Sequence, residues 1–286
     1  MKWFHFWADG GLRLGAMTSR GPVDATGSHA LPGRELPDVT AVMRLRGEER
    51  ARLENTLETG RLPLLAAPLH YAPAVPRPGK ILCVGLNYPS HNAEMPFTAP
   101  EAPTMFSKCL NALAAHEEAI PFPGEGFRLD YEAELVAVVG RTGRRIPRGE
   151  AGAYIFGYTV GNDLSERVTQ MQSSQWLLGK SWDRFAPVGP FLVTADALDL
   201  SDTAIVCRVN GEERQRANTR QMIFSPEDVV SFVSRSMTLE PGDLIFTGTP
   251  GGVMQGCPPE KQRWLQPGDV VEVEIQNIGV LRSPIV

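Results

Sequence analysis

The chain has little that would mark a secreted, membrane or nucleic-acid-binding protein. It has only four cysteines in 286 residues, at 83, 109, 207 and 257. No two are close enough for a zinc knuckle or a redox pair, so buried free thiols in a reducing cytoplasm are the plain reading. No apolar run approaches the ~18 residues that span a bilayer. The opening MKWFHFWADGG is apolar for a few residues and then meets Asp9, which is not the profile of a secretory leader. The formal charge is −5, so no basic surplus points to nucleic acid or an anionic membrane. There is no Gly-rich phosphate loop and no regular strand–helix alternation, which argues against a nucleotide-binding sheet. Long helical patterns are scarce as well. The 24 prolines and 28 glycines suit many turns and short strands.

Two textures divide what is present. Residues 1–66 read as a small N-terminal module of strand-like pieces followed by a helical stretch over Met43–Leu57, with Gly60 as its stop. Residues 67–79 are a Pro-rich linker, since PLHYAPAVPRPG holds four prolines and fits neither a helix nor a central strand. Residues 80–286 are strand-rich. Helical candidates there are a piece from about Ser165 to Leu178, and PEDVVSFVSRSM, with Ser225 as cap and Pro226 at the first helical position. Glu240-Pro241-Gly242-Asp243 and Gln266-Pro267-Gly268-Asp269 predict two type II turns, each ahead of a strand. The expected class is α+β, dominated by mixed or antiparallel sheet.

The chemistry concentrates at Asp130-Tyr131-Glu132-Ala133-Glu134. On a strand, Asp130, Glu132 and Glu134 would share one face. The segment runs on into Val136-Ala137-Val138-Val139, apolar on both faces, and a doubly buried strand needs something to neutralise its carboxylates. A hard divalent cation would do so. The plainer alternative is the wet face of an antiparallel strand, and Glu272 and Glu274 show the same spacing. The first pair differs in its company: YIFGYTVGND ends at Asp163, which can supply a third carboxylate.

GLNYPSHNAE, DYEAELVAVVG, GYTVGNDLSERVTQ, GKSWDRFAPVGP, VNGEERQRANT and LEPGDLIFTGTPGGV together resemble the fumarylacetoacetate hydrolase family, in order, over residues 80–286. The resemblance implies a β-rich roll of mixed sheets and a ligand set Glu132, Glu134 and Asp163 for Mg²⁺, Mn²⁺ or Ca²⁺. It implies a lid carrying His91 and Glu94, which a short helix capped by Asn87 and stopped by Pro96 would put on one face. In that pairing the carboxylate orients the imidazole as general base, with Lys180 as a catalytic cation. Arg167, Gln170 and Thr249 match positions that hold substrate oxygens in relatives. The expected activity is hydrolysis of a carbon–carbon bond in an acylpyruvate-type diketo acid through a metal-bound enolate. Decarboxylation of oxaloacetate, or isomerisation or tautomerisation of an unsaturated 2-oxo diacid, uses the same electron sink. A non-catalytic metal-binding module is the reading from another class. The partner implied is a small 2-oxo acid, in a homodimer by resemblance. Departures are Val168, where many relatives have Asp, Lys108-Cys109, where many have Lys-Pro, and an insert at Gly256–Arg263.

Overall fold

The computed structural model describes residues 1–27, 31, 34–94 and 100–286. Among the described residues two large sheets, a two-stranded pairing of Leu129–Asp130 with Ser165–Glu166 and a few short helices surround one apolar core. The larger sheet has the strand order Gly21–Asp24, Gly11–Thr18, Lys2–Ala8, Ala186–Thr194, Ile155–Asn162, Ala133–Val139, Leu244–Phe246, Ile81–Gly85 and Thr104–Lys108. Neighbours are antiparallel except Leu244–Phe246 beside Ile81–Gly85, so this sheet is mixed. The smaller sheet is an antiparallel set of Glu212–Asn218, Ala204–Val209, Val270–Ile275 and Gly279–Pro284, packed against Ile155–Asn162 and Ala186–Thr194. Strand exceeds helix, as the α+β, β-rich expectation requires.

The N-terminal residues continue the large sheet. Lys2–Ala8 pairs with Ala186–Thr194, matching Trp3 to Leu192, and pairs on its other edge with Gly11–Thr18. Within the Pro-rich stretch, Tyr71–Ala72 adds a short strand to Lys2–Ala8. His5 ties the region together: Nε2 accepts from the Val39 amide at 3.1 Å and Nδ1 lies 3.2 Å from the Ala74 carbonyl. The helical stretch forms as two helices, Val39–Met43 and Gly47–Thr59, because Arg44 closes the first and Gly47 opens the second. Leu53 and Leu57 of the longer helix are wholly buried, each contributing about 1.5–3 kcal/mol of apolar transfer.

Both Pro-Gly turns form as expected. Gly242 (φ 93°) and Gly268 (φ 94°) take the left-handed third position, and Asp243 and Asp269 donate back to the carbonyls of Glu240 and Gln266 at 3.0 Å. Helix Pro226–Ser234 starts at Ser225, in a capping box with Asp228. The continuous helix expected from Ser165 to Leu178 is replaced by a short strand Ser165–Glu166, helix Arg167–Gln170 and helix Leu177–Lys180. Glu166 caps the first helix by accepting from the Val168 and Thr169 amides, and the polar stretch Gln172–Gln175 lies outside both helices.

Candidate active site

The site forms where neighbouring strands end together. Ala133–Val139 lies between Ile155–Asn162 and Leu244–Phe246 and runs antiparallel to both. Its start therefore meets their ends. Glu132 and Glu134 open the first strand, Asp163 follows the second, and Thr247, Gly248 and Thr249 follow the third. The Asp163 amide donates to the Glu132 carbonyl at 2.9 Å, which clamps the carboxylates together. One oxygen from each of Glu132, Glu134 and Asp163 lies within 4.8 Å of the others, and all three residues are buried. The expected single strand face is broken at Tyr131. Asp130 belongs to a separate two-residue strand, Leu129–Asp130, and accepts from the Met254 and Gln255 amides at 2.9 and 3.0 Å.

Three buried cations meet three of these four carboxylates. Lys180 Nζ donates to Glu132 Oε2 at 2.8 Å and to Asp163 Oδ2 at 2.7 Å. Arg167 bridges Asp130 at 2.9 Å and Glu132 at 2.7 Å, and donates to Gln170 Oε1 at 2.9 Å. Lys108 donates to Asp163 and to the Leu164 carbonyl. Burial alone would raise the Glu132 carboxyl, but Lys180 and Arg167 outweigh it and hold the group well below the ordinary carboxylate range. Lys180 is likewise raised, because Asp163 and Glu132 outweigh its desolvation. Desolvation wins at Lys108, whose pKa is lowered despite Asp163.

Glu134 stands apart. Among the described residues it makes no ion pair, and its hydrogen bond comes from the Gly248 amide at 2.7 Å. Burial first, then Asp163 and Glu132, push its carboxyl well above the ordinary value. Gly248 (φ 94°) makes that approach possible: a Cβ there would lie 2.7 Å from the Asn87 Cβ and 3.0 Å from the Val84 carbonyl oxygen. The all-oxygen donor set suits a hard divalent cation, and such an ion would supply the positive partner that Glu134 lacks among the described residues. On both counts the residues present fit the ion.

His91, Gln170, Thr249, Arg167, Lys180 and Glu132 line one cleft of about 460 Å³ out to its mouth. His91 sits on helix Pro89–Glu94, buried, and its Nδ1 has no partner among the described residues. Burial lowers its pKa, with partial opposition from Glu132, so the imidazole is neutral at pH 7. Glu94 is not beside it. Its carboxylate instead accepts from the Gly252 amide at 2.8 and 3.0 Å. Asn87 is not the helix cap either: it donates to the Phe224 and Thr247 carbonyls and accepts from the Phe224 amide. Pro96 lies outside the described residues. Thr249 donates to the Ala133 carbonyl and accepts from Gln215, a buried residue that also accepts from the Ala133 amide. Gln215 and the role of Lys108 were not anticipated. A lone glutamine and a lone lysine give no local signal, although a lysine closing the strand Thr104–Lys108 was a hint.

The far wall of the cleft has another character. Val84, Leu86, Phe106, Met171 and Trp176 line it, with the neutral Gln255. Phe106 and Trp176 meet edge to face at 5.4 Å between ring centroids, and Lys180 Nζ lies 5.0 Å from the Phe106 centroid.

Comparison with known proteins identifies the family and the fold. The family model described as "Fumarylacetoacetate (FAA) hydrolase C-terminal" matches residues 80–286. A mitochondrial oxaloacetate tautomerase of Rattus norvegicus is 40% identical over 255 residues, covering 88% of this chain and 80% of the relative. A fumarylacetoacetate hydrolase structure from Exiguobacterium antarcticum matches with TM-score 0.86 at 33% identity, covering 100% of this chain and 99% of the other. A maleylpyruvate hydrolase from Sphingobium sp. SYK-6, solved with manganese(II) and pyruvate, matches with TM-score 0.80 at 28% identity, covering 100% and 99%. No helix among the described residues is long and apolar enough to cross a membrane.

Proposed function

Because the chain belongs to the fumarylacetoacetate hydrolase family, whose similar members include hydrolases and tautomerases, we propose that it hydrolyses a carbon–carbon bond in an acylpyruvate-type diketo acid. The observation that carries this reading is a neutral His91, its Nδ1 without a partner among the described residues, sharing one cleft with the carboxylate cluster. A divalent ion held by Glu132, Glu134 and Asp163, with Mg²⁺ or Mn²⁺ the fitting candidates, would supply Lewis-acid charge to the keto oxygen of a 2-oxo acid.

The protein's own groups supply the remainder. His91 takes a proton from water, and the hydroxyl oxygen bonds to the distal carbonyl carbon. The bond from that carbon to C3 breaks, and its electron pair passes into the enolate of pyruvate. His91 returns the proton to C3, leaving a carboxylic acid and pyruvate. Lys180 adds positive charge beside the developing oxyanion. Arg167 and Gln170 offer donors to the substrate's carboxylate and carbonyl oxygens, while Thr249, in the same lining, keeps its hydroxyl proton on the Ala133 carbonyl. His91→Ala, assayed at saturating Mn²⁺ and acylpyruvate with products followed by NMR, should lose about 10²–10⁴-fold in kcat. Unchanged hydrolysis refutes the assignment.

One observation favours a second reading. With Glu94 turned to Gly252, His91 lacks the carboxylate that would support water activation, while moving a proton at C3 needs only the imidazole. Keto–enol tautomerisation of an oxaloacetate-type acid uses that step alone, and the rat relative carries that name. Deuterium exchange at C3 without bond cleavage would mark it.

A further inference from the structure

The cleft has two chemically different ends, and the difference bears on which 2-oxo acid it takes. Its cations, Arg167 and Lys180, both stand at the carboxylate end, and each is bonded to two carboxylates there. The apolar lining runs from the Phe106 ring, whose centroid lies 5.0 Å from Lys180 Nζ, to Trp176 and to Met171, which is 56% exposed. This wall is held in place. Gly85 lets the Trp176 ring lie against its strand, where a Cβ would come within 2.8 Å of the ring. Phe106 then fixes the ring edge to face. Among the described residues the basic side chains that line the cleft are Arg167 and Lys180, each already paired with two carboxylates, and residues 95–99, MPFTA, contain none. A second carboxylate placed here would lose its water and gain no counter-charge, whereas an alkyl or aryl group would gain by burial.

We propose that Phe106, Trp176 and Met171 form a subsite for an uncharged, apolar acyl tail, so that the preferred substrates are acylpyruvates with alkyl or aryl tails rather than dicarboxylic 2-oxo acids. This rests on reading the cleft as a 2-oxo acid site. Gln255, whose Oε1 is buried without a partner among the described residues, also lines the cleft and could accept from a hydroxyl on that tail.

Binding tests this without requiring turnover. Mn²⁺-loaded protein is titrated calorimetrically with pyruvate, 2-oxobutanoate, 2-oxopentanoate and 2-oxohexanoate, and with 2-oxoglutarate as the charged counterpart of the five-carbon acid. Affinity should rise about threefold per added methylene. 2-Oxoglutarate should bind about tenfold more weakly than 2-oxopentanoate. Trp176→Ala should flatten the chain-length series, and Met171→Arg should move affinity toward 2-oxoglutarate. If every acid binds but 2-oxoglutarate equals or exceeds 2-oxopentanoate, or if Trp176→Ala leaves the increments intact, the tail subsite is overturned alone. If pyruvate itself does not bind, the 2-oxo acid reading falls and takes the subsite with it.

Discussion

Glu132 and Glu134 have the same spacing as Glu272 and Glu274, yet the two pairs live in opposite surroundings. Every residue of Ala133–Val139 is buried, because strands flank it and the second sheet packs nearby. Val270–Ile275 alternates buried and half-buried, and its glutamates lie on the wetter face. There Glu274 pairs with Arg208 at 2.7 Å and Glu272 with Arg282 at 3.6 Å, with side chains 43% and 34% exposed. A carboxylate in water needs no partner, and a surface pair gains little from one. A carboxylate in the core must be neutralised, and what neutralises it becomes its chemistry. Alternation therefore marks a strand, while sheet topology decides whether that strand carries a site.

The sharpest way to break this contrast is Glu132→Ala. It strips Arg167 and Lys180 of a shared buried partner and should cost about 3–5 kcal/mol in denaturant unfolding, together with the Mn²⁺-induced rise in Tm. Glu134→Gln separates stability from function. Burial and the neighbouring acids already disfavour the charged form of this carboxyl, so a neutral amide should leave the metal-free protein at least as stable as wild type at pH 7, while the Mn²⁺ shift disappears.

His5 asks whether burial alone, away from the site, makes a group matter. Burial lowers its pKa from 6.5 to about 4, so the unfolded chain binds the proton more readily. Stability should fall as the pH drops from about 6.5 towards 4, by up to about 3 kcal/mol, and should be level above that window. His5→Asn should flatten that slope in a pH series of urea melts. Smallest of all, Glu272→Ala and Glu274→Ala should each change stability by less than about 1 kcal/mol and leave the Mn²⁺ shift unaltered.

Much of the fold was readable because its signals are local. Pro-Gly at 241–242 and 267–268 forces the turns through backbone geometry, and Ser225-Pro226 starts a helix through capping. Asp163 was readable as an acid at a strand end, and the resemblance alone joined it firmly to the cluster, 29 positions away from Glu134, because strand pairing brings the two together. Lys108 was passed over because a single lysine ends many strands, and only its burial shows that its charge is committed to Asp163. Glu94 and Asn87 were read from helix spacing as groups acting within their own short helix. Both instead bind backbone more than a hundred residues away, at Gly252, Phe224 and Thr247, contacts that no window of local sequence contains.

Glu132, Glu134 and Asp163 are proposed to hold a divalent cation, and Glu272 and Glu274 are not. A crystal soaked in Mn²⁺ and measured at the manganese absorption edge tests this directly. One strong anomalous peak is expected among the oxygens of residues 132, 134 and 163. An empty cluster, or a peak only on the strand Val270–Ile275, would contradict it.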